Sequence, residues 1–165
     1  MLSMLGKNPK TYAHTFANTQ IGSLSLLTNN AKKTIILAFD GKIYNAKHLI
    51  KEMAHEGYSA SQDITEALIQ AYDLWGVDFL KKLDGDFVLA ILDTEKKHIL
   101  LARDRIGKKT LFWCQQNHYF LFSSRLKSLL STGFIPLTPS LESIASYLYF
   151  GYFPQDMTPI VGVNK

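Results

Sequence analysis

One cysteine, five scattered histidines and two short charged motifs are the residues of this 165-residue chain that could do chemistry. Cys114 sits inside the run Leu111 to Gln115, where a thiol reads as a small apolar filler of a strand. The histidines (His14, His48, His55, His98 and His118) lack metal-ligand spacing. Only His48 and His55 lie two helical turns apart, and two ligands do not make a site, so neither a metal nor a cofactor is expected. The motif Asp40-Gly41-Lys42-Ile43-Tyr44-Asn45 follows the apolar run Ile35 to Ala38 and precedes a helical pattern. A strand that stops at glycine and turns into a helix brings backbone N–H groups to a sheet edge, where ligands approach closely. The same residues also read as a plain Asp-Gly turn. Arg103-Asp104-Arg105 reads as a salt-bridged loop that pins a strand end.

The elements that must position these residues follow from composition and period. At 47% hydrophobic residues the chain can bury a sizeable core as one domain over residues 1–165. No apolar run reaches the roughly 18 residues of a membrane span. The segment Met1 to Lys7 has no charged head before an apolar core, so it does not read as a secretory signal. One cysteine precludes an internal disulfide framework and fits a reducing cytoplasm. The net charge of +4 is spread over pairs such as Lys32-Lys33 and Lys108-Lys109 at expected turns. A solvated face explains these pairs, and nucleic acid is not an expected partner.

Residues 1–5 read as the tail of a helix ended by Gly6 and Pro9, and residues 7–18 as irregular. Ile21 to Leu27 and Thr34 to Phe39 read as strands flanking a turn at Thr28-Asn29-Asn30. Ala46 to Glu56 is helical up to Gly57, and Asp63 opens a second helix in capping-box spacing with Glu66, closed by Gly76. A short helix is expected from Val77 to Leu83. The near-continuous apolar runs Phe87 to Leu92 and His98 to Ala102 predict central strands covered on both faces. A hairpin spans Gln116-Asn117, and Ser124 to Leu130 is a short helix. Ser140 opens a last helix whose apolar face holds Leu141, Ile144, Ala145 and Leu148, and residues 151–165 form an irregular tail. Such a tail suits a chain that leads on to a neighbouring domain. Together these elements indicate an α+β layered domain.

Five segments, in order, resemble a known family. Asp40 to Asn45 resembles the "NGEIYN" turn of the amino-terminal glutaminase domain of glutamine-dependent asparagine synthetases. Leu83 to Ala90 resembles its "L-x-G-x-F-A-F-A" strand, and Leu101 to Leu111 its "LARDRxGxKPL" segment. Phe122 to Leu130 resembles "FASExKALL", and Tyr147 to Pro154 resembles "YLxFGYVP". The resemblance implies a class II (type 2) glutamine amidotransferase of the N-terminal-nucleophile (Ntn-hydrolase) fold. That fold is a four-layer αββα sandwich, here expected without its first strand. The family's nucleophile is an amino-terminal cysteine that attacks the glutamine amide carbonyl, with its own α-amino group as base. No residue of this chain matches it, so no catalytic residue is assigned.

The resemblance also implies where glutamine would sit, and four of those positions depart from the pattern. Ser23 stands where the family's "RLSI" arginine holds the glutamine carboxylate, a loss of roughly 2–5 kcal/mol in binding. Asp40 replaces the asparagine of the oxyanion hole; a carboxylate has no donor to offer, and losing one such donor costs on the order of 10²–10³ in rate. Lys42 replaces the glutamate that meets the ammonium, and Ile64 stands where "SDTE" places a second acid. Gly41, which the turn itself needs, is kept.

The expected function is therefore an asparagine-synthetase-like amidotransferase domain without glutaminase activity, serving as a scaffold or interaction module in the cytoplasm. β-Lactam synthetases and lasso-peptide cyclases resemble this arrangement. The alternative is a glutamine-hydrolysing domain whose true start lies upstream and which feeds ammonia to an ATP-dependent synthetase domain. Arg103, Asp104 and Arg105 would then form an interface with that domain. An unpaired sheet edge left by a missing first strand would offer a route to a homo-oligomer.

Overall fold

The apolar runs of the sequence become the middle of a six-stranded antiparallel sheet. The computed structural model describes residues 34–58, 61–116, 119–154 and 156–165, together with the backbone of strands at 3–4, 11–15 and 26–29. Two compact units are formed, Met1–Lys109 and Thr110–Lys165.

In the first unit the strands are β1 (Ser3–Met4), β2 (Thr11–Thr15), β3 (Leu26–Asn29), β4 (Ile35–Ile43), β5 (Gly85–Asp93) and β6 (His98–Arg103). Their spatial order is β1-β2-β6-β5-β4-β3. β5 and β6 are central and buried along almost their whole length, as continuous apolar strands must be. Two helices follow β4: α1 (Ala46–His55), which buries Leu49 and Met53, and α2 (Ile64–Trp75), which buries Ala67, Leu68, Ile69, Ala71 and Tyr72. They join Leu37 and Phe39 of β4 and Phe87, Leu89 and Ile91 of β5 in one core cluster. Each fully buried leucine or isoleucine there contributes roughly 1.5–3 kcal/mol. A 3₁₀ helix, Gly76–Lys82, returns the chain to β5.

In the second unit β7 (Phe112–Gln116) pairs with β8 (Tyr119–Ser123) and with β9 (Val163–Asn164). The helices are α3 (Leu126–Leu130) and α4 (Leu141–Phe150). Cys114, Leu129, Ile135 and Val163 form a small separate core. The architecture is α+β, with antiparallel sheets and helices as the resemblance implies.

Several local expectations are corrected. Ser3 and Met4, read as the tail of a helix, form a strand against Ala13 and Tyr12. Thr11–Thr15, read as irregular, is a strand along β6, whose free edge would otherwise leave a row of backbone groups unpaired. Thr28 and Asn29, assigned to a turn, extend β3; residues 21–25 lie outside the described residues. The tail is not wholly irregular, because Val163 is buried and paired with Cys114. Glu66 does not complete a capping box by any bond to Asp63 N; that N–H donates to Ser61 Oγ instead, 3.1 Å away.

The largest correction concerns α4. The apolar face read from the sequence should point inward, yet Leu141 and Leu148 are each 80% exposed and Ala145 is exposed too. The buried residue of this helix is Ser143.

Candidate functional site

Asp40-Gly41-Lys42 does not form the strand-to-helix turn that its sequence suggests. β4 runs through it to Ile43, with Gly41 opposite Phe87, Lys42 opposite Asp86 and Ile43 opposite Gly85. The turn begins only at Tyr44, whose N–H donates to Asp84 O at 2.7 Å. The ladder can close this far because of two glycines. A Cβ on Gly41 would overlap the Asp86 carbonyl, and one on Gly85 the Lys42 carbonyl. Gly41 also adopts φ +145°, a conformation that side-chain-bearing residues avoid.

Along β4, Asp40 and Lys42 lie on the face opposite to Phe39 and Ile43, which enter the helix-covered core. The Asp40 carboxylate meets Lys109 Nζ at 3.1 and 3.2 Å. One strand further, Asp86 Oδ2 accepts from Lys108 Nζ at 2.6 Å and from Tyr44 Oη at 2.5 Å. The Lys108 bond, seconded by Tyr44, holds the Asp86 carboxyl below the usual carboxylate range. The same carboxylate raises the pKa values of both Lys108 and Tyr44. The two lysines are set side by side by Asp104, which is buried and accepts from Lys108 N and Lys109 N, both at 2.9 Å. Asp104 N in turn donates to Phe87 O at 2.8 Å.

An open cavity of about 390 Å³ lies at this end of the sheet, lined in part by Tyr44, Asp84, Asp86, Arg105, Ile106 and Lys108. Asp40, Gly41, Lys42 and Ile64 are not among its lining residues. Behind Tyr44, Asn45 Nδ2 donates to Lys82 O at 2.7 Å, and its Oδ1 accepts from Asp84 N at 3.0 Å.

The remaining sequence-derived residues fall elsewhere. Ser23 lies outside the described residues. Ile64 starts α2 and packs on the core cluster, while the adjacent Asp63 carboxylate caps the helix through Thr65 N at 2.7 Å and Glu66 N at 3.3 Å. Arg103 and Asp104 are buried and Arg105 is exposed, so of the three only Arg105 offers an open side chain. Cys114 is buried, and burial pushes its thiol pKa up, the opposite of what a nucleophilic thiolate needs. Among the described residues no group of three or more His, Cys, Asp or Glu side chains is placed to hold a metal.

Sequence reasoning missed Lys108 and Lys109, which read as one more solvated pair. It also missed Asp86, which occupies a variable place in the strand motif. The available signal was charge: two carboxylates, Asp40 and Asp86, face two adjacent lysines.

Comparison with known proteins places the chain in its class. Residues 19–165 match the model of the glutamine amidotransferase domain, nearly the whole length, and the chain belongs to that family. Relatives include asparagine synthetases. An asparagine synthetase [glutamine-hydrolyzing] 3 of Bacillus subtilis is 32% identical over 133 residues, covering 80% of this chain and 21% of the relative. A putative asparagine synthetase [glutamine-hydrolyzing] 2 of Methanocaldococcus jannaschii is 31% identical over 122 residues, covering 73% and 23%. Asparagine synthetase [glutamine-hydrolyzing] 1 of Arabidopsis thaliana is 34% identical over 102 residues, covering 61% and 17%. The chain thus spans less than a quarter of the length of these relatives. No described helix is long and apolar enough to cross a membrane.

Proposed function

We propose that this chain is an asparagine-synthetase-like glutamine amidotransferase domain that does not hydrolyse glutamine and acts as a scaffold or interaction module, in the reducing setting that its one buried thiol suits. The observation that carries the reading is the Asp40–Lys109 ion pair. At the position where the resemblance puts an amide donor for the oxyanion, the side chain is an acceptor already held by a lysine. Such a group cannot donate to a developing oxyanion, and one lost donor is worth on the order of 10²–10³ in rate. Lys42 on the same face and the core-packed Ile64 support the reading, since both stand where acids would meet the substrate ammonium. Ser23, Asp40, Lys42 and Ile64 together describe a glutamine pocket stripped of its charge pattern, with Gly41 kept for the strand ladder.

An ammonia-release assay with glutamine, run beside a thermal-shift titration with glutamine and aspartate, tests this. Neither ammonia above the blank nor a shift is expected, and Asp40→Asn alone should restore neither. Ammonium release at enzymatic speed would overturn it. A second reading has one observation in its favour, the glutamine-hydrolysing names of the relatives. In it the domain supplies ammonia to an ATP-dependent synthetase domain, with Arg105 at the interface. Extending the chain upstream with a cysteine-initiated strand distinguishes the two: glutaminase activity then appears only under the second reading.

A further inference from the structure

We draw no further inference here: the strongest candidate, the open cavity lined in part by Tyr44, Asp84, Asp86, Arg105 and Lys108 at the end of the β4–β5 ladder, carries nothing because Tyr44 and Lys108 are engaged by Asp86 and the exposed Asp84 and Arg105 that remain, of opposite charge, select no class of ligand.

Discussion

Helices α2 and α4 are near twins as sequence and opposites as structure. Each opens on a capping residue, Asp63 accepting from Thr65 N and Glu66 N, and Ser140 accepting from Ser143 N. Each carries an acid in its first turn and ends at a glycine. Yet α2 buries Ala67, Leu68, Ile69, Ala71 and Tyr72 against β4 and β5, whereas α4 buries Ser143. Capping and period establish that a helix forms and where its apolar stripe runs. They do not establish what the stripe meets, because burial depends on the surface that arrives opposite.

The sharpest test of the contrast is a pair of leucine truncations. Leu68→Ala in α2 should cost about 2–5 kcal/mol in urea unfolding, the loss of a packed side chain plus its cavity. Leu148→Ala in α4 should stay within about 0.5 kcal/mol at concentrations where the chain is monomeric. Equal losses would mean that α4 is covered within the monomer.

The sheet beneath α2 should be nearly as intolerant. Gly41→Ala combines a backbone conformation at φ +145° with a collision into the Asp86 carbonyl, and should cost roughly 2–4 kcal/mol. A variant as stable as the parent would show that the β4–β5 ladder does not close as described.

Acid should act on the α2 side. Tyr72 Oη donates to Asp93 Oδ2 at 3.0 Å and lies 2.8 Å from His98 Nε2. Burial pushes the Asp93 carboxyl up, but Lys96 N–H, the Tyr72 hydroxyl and the Lys96 ammonium outweigh it and hold its pKa below the usual range. The folded value lies under the unfolded value of about 3.9. The associated stability is therefore complete above that pH and is lost as pH falls through the folded value. Thermal midpoints measured between neutral pH and pH 2 should fall with acid, and Asp93→Asn should flatten the fall. An unchanged slope in the variant would remove Asp93 from the account.

Modest effects are expected at the caps, where the two helices should agree. Asp63→Ala and Ser140→Ala should each cost about 1 kcal/mol. A large cap effect at Asp63 beside none at Ser140 would extend the contrast from packing to the helix ends themselves.

Much of the fold was legible because it is locally encoded. The continuous apolar runs at Phe87 to Leu92 and Ile99 to Ala102 could only be strands covered on both faces, and they are central. Asp63 and Gly76 bracket α2 as their chemistry requires. The strands at Ser3–Met4 and Thr11–Thr15 were not legible, since short polar segments become strands only when an existing edge recruits them. In the candidate site, the charges of Asp40 and Lys42 are plain in the sequence. The lysine that answers Asp40 is not.

The sequence by itself determined the family, the central strands and the capped helices, because all of these reside in residue type and short spacing. Only the tertiary structure decided that Asp40 meets a lysine 69 residues away, that Gly41 closes a strand ladder instead of opening a turn, and that α4 shows its leucines to solvent. Those outcomes depend on strand register and on which surfaces come together, and neither is written in any single stretch of chain.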